Sequence, residues 1–193
     1  MKWLSEENPP MGGPRGLALI GLLNAQKLDD VSILVRETTQ NSWDARLSNS
    51  ESVGLRFASW NLSEQMADDA RNMFLEGLPS VKEVEPLRRS LNRPNPSVLM
   101  VRDLNCHGLD EATLRKENDP DGKNRYISFL LNFGDSRHSE GDGGSYGFGR
   151  SITYRLSRSR FIVVYTRAKN TSGNLESRLV GSLLTENFGN FTG

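Results

Sequence analysis

Hydrophobic positions recur along this chain with two periods, and the switch between them predicts its elements. Across residues 28–47 the period is helical. Asp29 or Asp30 can cap the start, and Val31, Leu34, Val35, Thr38, Ser42 and Ala45 recur at spacings of three and four. Residues 52–59 alternate instead, with Val53, Leu55 and Phe57 on one face of a half-buried strand. Asn61 and Glu64 have capping-box spacing, and Met66, Ala67, Ala70, Met73 and Phe74 form an amphipathic stripe that Gly77 and Pro79 end. Residues 80–96 are charged and proline-broken, a connection with one short helix. The nearly continuous apolar run 97–102 reads as a buried central strand ending at Asp103. Helical spacing returns over 125–133 and 148–156. A strand at 161–166, a turn around Ser172, Gly173 and Asn174, and a pairing strand at 179–184 follow.

Strands and helices interleave without strict alternation, which predicts an α/β fold. The 193 residues fit one domain, 1–193, entered through an irregular arm at 1–15 that holds three prolines and two glycines. Charge adds an exclusion: 24 basic side chains meet 24 acidic ones, so neither a polybasic stripe nor an acidic tail exists. Arg155, Arg158, Arg160 and Arg167 form a local basic run that reads as a solvated edge, with nucleic-acid contact as the alternative. A single cysteine, Cys106, excludes an internal disulfide framework and a cysteine-rich zinc module. The longest apolar run, 16–23, is too short to span a bilayer. Glu6, Glu7, Pro9 and Pro10 precede it where a signal peptide needs positive charge. A cytoplasmic protein with no membrane partner is the expectation.

Three segments carry candidate chemistry. Glu37, Asn41 and Asp44, spaced by four and three, share one helical face near the apolar one. An amide oxygen between two carboxylates can hold a divalent cation and place a base against a water, although an exposed polar face has the same composition. Asp103, at the end of the apolar strand and ahead of Gly108, can accept a hydrogen bond from an exocyclic amine, or merely cap a turn. In residues 140–150 five of eleven positions are glycine, ahead of a helix. Such a loop can offer backbone N–H groups to phosphates or can simply be a surface loop; it lacks the Gly-Lys-Ser/Thr of a Walker loop.

In order, spacing and residue type the three resemble the GHKL family of ATPases, whose members include gyrase, the ninety-kilodalton heat-shock chaperone, histidine kinases, MutL and the MORC proteins. Glu37-Thr-Thr-Gln-Asn41-Ser-Trp-Asp44-Ala45 is similar to the family's E-x-x-x-N-[AS]-x-D-A helix, and residues 103–108 resemble its aspartate-glycine motif. Gly144-Ser145-Tyr146-Gly147-Phe148-Gly149 resembles its lid motif, G-x-[FY]-G-x-G, in the chaperone-like form. The resemblance spans residues 28–167. It implies a two-layer α/β sandwich with a mixed, mostly antiparallel sheet and helices on one face (the Bergerat fold), binding ATP and Mg²⁺ and hydrolysing ATP slowly. It implies Glu37 as general base, Asn41 as the protein ligand of Mg²⁺, Asp44 as support for the adenine side through water, and Asp103 as partner of the adenine amine. Gly108 would let the ring lie close, and Gly144 to Gly149 would wrap the phosphates as a mobile lid. It implies further an ATP-driven homodimer, a partner protein or second domain supplying a lysine or arginine to the γ-phosphate, and a setting in bacterial DNA transactions or anti-phage defence. The chain would then be a fragment of a longer protein or a minimal ATPase module.

Two departures stand out. The family's second motif reads D-x-G-x-G, whereas here Asn105 occupies the first glycine's place and Gly108 comes one position late. Glu37 argues against the histidine-kinase branch, which lacks a base there. The rival readings are a non-hydrolytic ATP or ADP sensor and a DNA-binding or scaffold module.

Overall fold

The computed structural model describes residues 3–5, 7, 29–109, 125–130, 148–170 and 172–189. The polar stretch 110–123, the four residues Gly144 to Gly147 and most of the N-terminal arm lie outside them.

Helix α1 spans Asp30–Asp44, three residues shorter at its end than the spacing predicts. Asp29 caps it, its Oδ1 accepting from the Val31 and Ser32 N–H groups at 3.0 Å each. Hydrogen bonds from Ser32, hydroxyl first, pull the Asp29 carboxyl below its ordinary range. The buried side chains are Ile33, Leu34, Glu37 and Ser42. This corrects the expected stripe: Val31 and Val35 face outward, and the ridge led by Ile33 turns inward.

Strand β1 (Gly54–Asn61) runs antiparallel to β2 (Ser97–Leu104), in register from Gly54 opposite Leu104 to Asn61 opposite Ser97. Between them lie α2 (Glu64–Leu75), a 3₁₀ turn (Lys82–Val84) and α3 (Glu85–Leu91). Ser63 rather than Asn61 caps α2, its hydroxyl accepting from the Met66 N–H, because Asn61 is the last residue of β1. Only Ala67 and Phe74 of the predicted α2 stripe are buried. Nor is β2 a buried central strand. Among the described residues it pairs with β1 alone, Leu99 is half exposed, and the strand runs one residue past Asp103.

After α4 (Arg125–Leu130), α5 (Phe148–Leu156) leads into β3 (Phe161–Lys169), which pairs antiparallel with β4 (Leu175–Leu183). Both strands exceed their predicted spans because the connecting turn is tight. Asn170 Oδ1 accepts from the Ser172 and Asn174 N–H groups, and Gly173 takes a φ of 80°. The class is therefore mixed α/β, with two small antiparallel two-stranded sheets among the described residues.

Two clusters hold these pieces together. Ile33 and Leu34 of α1 meet Ile152 of α5, with Val101 of β2 and Leu156 against them. An ion pair clamps the same two helices at their rim, with Arg155 Nη2 2.8 Å and Nε 3.1 Å from the Asp30 oxygens. Leu78, Val84 and Leu87 form the second cluster, joined by Trp3, Phe161 and Leu183. There the Phe161 ring meets Phe74 edge-on at 5.1 Å and lies across Gly181, where a Cβ would sit 2.8 Å from its edge. Tyr154, buried in α5, donates its hydroxyl to Ser182 at 2.8 Å and ties that helix to β4. Burial drives the Tyr154 phenol up to about 12, against the smaller opposing effect of Ser182. No helix among the described residues is long and apolar enough to cross a membrane.

Candidate functional site

A helix presents nearly the same face every seven residues, with an offset of about 20°. In α1 two such pairs change character along the axis. Leu34 is 4% exposed, whereas Asn41, seven residues on, is exposed; Glu37 is 5% exposed, whereas Asp44 is exposed. The face that meets α5 at Leu34 is thus exposed at Asn41 in the second half of α1. Asn41 stands on the bare part, and Glu37 marks the boundary. The predicted polar stripe is real as a stripe, but its first member is walled in.

The tip of β2 closes on the same half of α1. Ser42 Oγ comes within 3.5 Å of Asp103 Oδ2, and the Cys106 thiol donates to the Ser42 carbonyl at 3.3 Å. The chain leaving α1 then pairs with the chain leaving β2. His107 N–H donates to the Ala45 carbonyl at 2.8 Å, and Leu47 N–H donates to the Asn105 carbonyl at 3.0 Å. Asp103 itself is exposed on the β2 face that also bears Val101, the residue under α1 and α5. The helix carrying Glu37 and Asn41 and the strand tip carrying Asp103 are therefore one construction. Asp44 sits at the last helical position, beside Trp43, whose exposed ring carries the Arg46 guanidinium 4.5 Å from its centroid.

The irregular second motif has a structural answer. Asn105, in the place of the expected glycine, adopts a φ of 66°, the left-handed backbone that glycine takes freely and asparagine best tolerates among the others. Its amide secures the turn by donating to the Ser52 carbonyl at 3.1 Å. Gly108, φ 73°, then passes so close to β3 that a Cβ would lie 2.9 Å from Thr166 Oγ1 and 3.0 Å from the Arg167 carbonyl. Its absent side chain serves chain crossing as well as any ring above it.

Thr166 is a residue that the spacing did not single out. Buried in β3, it accepts the Leu109 N–H at 2.8 Å and fixes the segment leaving the strand tip. The available signal was a hydroxyl within an otherwise apolar run. Ser42, read as part of the apolar stripe, is likewise the contact to Asp103.

The surroundings of Cys106 disfavour the thiolate that a nucleophile needs. Burial, and next the negative charge of Asp103, push its thiol up to about 11. Asn41's side chain has no hydrogen-bond partner among the described residues, which leaves its amide oxygen available to a hard cation. Among the described residues no group of three or more His, Cys, Asp or Glu is gathered to hold a metal. Of the lid motif, Gly144, Ser145, Tyr146 and Gly147 lie outside the described residues; Phe148 and Gly149 open α5, the helix packed on α1. A cleft of about 500 Å³, lined by residues such as Leu62, Arg71, Arg93 and Pro96, lies at the opposite end of the β1–β2 pair and touches none of these residues.

Set against protein-family models, curated proteins and solved structures, the chain matches none of them. The functional reading rests on the motifs and on this geometry.

Proposed function

We propose that the chain is a GHKL-type domain that binds Mg-ATP and hydrolyses it slowly, using nucleotide occupancy as a conformational switch. The observation that carries this reading is the exposed half of α1, with Asn41 on it, Glu37 at its edge and Asp103 joined to it through Ser42. Adenine would enter at Asp103, whose carboxylate suits the 6-amino group. The triphosphate would extend along the bare helix face toward Asn41. The glycine-rich segment would close over it from the start of α5. Bound Mg²⁺ would neutralise phosphate charge, with the Asn41 amide oxygen as the protein's contribution. Glu37, at the inner edge, would accept a proton from the attacking water. Asp44, beyond it, would support the adenine side through solvent.

In this reading the two strand pairs belong to one curved sheet, with α1 and α5 on a single side, as in a two-layer sandwich. Packing of Val101 under α1 and α5 and the Tyr154–Ser182 bond support that arrangement. A cytoplasmic location, an ATP-state homodimer, a partner or second domain contacting the γ-phosphate, and a role in DNA transactions or phage defence extend the same proposal. The basic run is a weak nucleic-acid candidate, since Arg155 is already paired with Asp30.

The test is thermal melting with ATP and Mg²⁺, followed by turnover. At ligand about a hundred times the dissociation constant, one site adds about 2.7 kcal/mol. For a domain of this size that is a rise of roughly 5–11 °C. Glu37→Ala should keep the shift and lose turnover by about 10²-fold or more. A shift with equal turnover in wild type and variant would leave a non-hydrolytic sensor. No shift at all would favour a scaffold.

A further inference from the structure

The register of the two strand pairs sorts their charges by face. Residues directly opposite in an antiparallel pair share a face, and successive residues alternate. Val101 lies against the α1–α5 seam and so marks the inner face of β1–β2; the Tyr154–Ser182 bond marks the inner face of β3–β4. The acids of the four strands, Asp103 and Glu176, both stand on inner faces. The outer faces carry Arg56, Arg102, Arg167 and Lys169 and no acid, in a chain whose net charge is zero. All four cations are exposed, and none has an ion pair or hydrogen bond among the described residues.

Two details give this surface a direction. Arg56 and Arg102 are directly opposite, with Cβ atoms about 5 Å apart, so their charges repel unless an anion lies between them. Four residues on from Arg56, about 13 Å along the same face, Trp60 is 38% exposed. The outer face of β3–β4 is covered at Phe161 and Leu183 by the Leu78–Leu87 cluster, and is open from Val163 onward. There Tyr165 is followed by Arg167 and Lys169 at steps of about 7 Å. Tyr165 is 65% exposed, and its hydroxyl meets Ser177 Oγ at 3.1 Å, which lays the ring across β4.

We propose that the outer faces of the two strand pairs bind single-stranded nucleic acid, the four cations meeting backbone phosphates and Tyr165 and Trp60 stacking on unpaired bases. Unpaired cations alternating with exposed rings, and no acid among them, suit a polyanion whose bases are free. A duplex hides its base faces in its own stack, and an acidic peptide has no bases to offer. Of the basic run at 155–167 only Arg167 belongs to this surface. The surface turns away from α1, so the inference goes beyond the ATP reading and does not depend on it.

The test is fluorescence anisotropy of the full chain, without ATP, against a labelled oligothymidylate or oligouridylate of about 16 nucleotides. The two present the same chemistry, and saturable binding of either supports the proposal. With four phosphate contacts, the logarithm of affinity should fall against that of salt with a slope of about −2.8; Arg56→Gln with Arg102→Gln should reduce it to about −1.4. Tyr165→Leu should keep the slope and weaken binding about tenfold. These side chains are exposed, so Tm without the oligomer should hardly move. Should the double arginine variant melt early, Lys169→Gln alone should still change the slope by about 0.7. No saturable binding at about 50 mM salt would overturn the assignment. So would equal affinity for a duplex or for polyglutamate of the same charge, or variants that bind like wild type. Since no ATP is present, none of these outcomes bears on the nucleotide site, and a chain that fails to bind ATP leaves this surface standing.

Discussion

Replacing Ile152 with alanine probes the joint on which the site depends. Ile152 is fully buried in α5 and packs on Ile33 and Leu34 of α1, with Val101 beneath. The change deletes three carbons, about 2.4 kcal/mol of transfer free energy, and the cavity left in a helix–helix seam raises the total to about 3–4 kcal/mol. That is a large share of the roughly 5–15 kcal/mol that holds a domain together, and corresponds to a Tm fall of about 6–16 °C. Urea titration followed by circular dichroism measures it, read from the midpoint at constant slope. Val35→Ala is the internal control. Val35 belongs to the stripe expected from spacing but is 44% exposed, so its loss should stay within about 0.5 kcal/mol. If Ile152→Ala costs less than about 1 kcal/mol, or Val35→Ala costs as much, α1 does not meet α5 through the Ile33 ridge and the account of the covered and bare halves fails.

Asp103→Asn should weaken ATP binding by roughly tenfold or more, since it replaces a charge-assisted acceptor, while nucleotide-free Tm stays nearly constant because the side chain is exposed; calorimetry and melting together read both. Gly108→Ala should destabilise the fold by about 1–3 kcal/mol, because its Cβ would be forced against Thr166 and the Arg167 carbonyl at positive φ; an unchanged urea midpoint would mean that the strand tip does not pass so near β3. Cys106 should react slowly with iodoacetamide at pH 8, where a thiol of pKa about 11 is only about one part in a thousand thiolate, and faster toward pH 11. Because that folded value lies above the unfolded one, the thiol's contribution to stability is complete below about pH 8.5 and is lost as pH rises through about 11. Fast alkylation at pH 8 would contradict the placement of the thiol against Ser42 and Asp103.

Much of this was legible in the chain because local signals were strong. Asp29 before a helical run, a proline–glycine stop after α2 and the apolar run ending in Thr166 each reflect physics confined to a few residues. The span Phe148–Leu156 was readable to the residue for the same reason. The misreadings came from packing between distant segments. Which ridge of α1 faces inward is decided by Ile152, over a hundred residues away, so helical spacing alone cannot tell Val31 and Val35, which are exposed, from the core-facing ridge. The exposed, one-sided pairing of β2 could not be told from a central strand, since an apolar run reads alike in both. At the site, the Glu37–Asn41–Asp44 stripe follows from helical spacing, but the change from buried to exposed along it depends on which distant segments pack on α1 and is not written in the spacing. The contributions of Ser42 and Thr166 were hidden because single hydroxyls in apolar runs carry no periodic signal. Asn105 shows the converse: a departure from a motif that leaves the backbone shape intact.

The central claim is that the bare half of α1 and the tip of β2 form one adenine-nucleotide site. Calorimetric titration with ATP and, separately, GTP in the presence of Mg²⁺ tests it most directly. The Asp103 carboxylate should accept from the 6-amino group of adenine and repel the 6-oxo group of guanine, so the account predicts one ATP per chain and GTP binding weaker by about tenfold or more. Equal affinity for the two nucleotides, or no saturable heat with ATP up to about 1 mM, would contradict it.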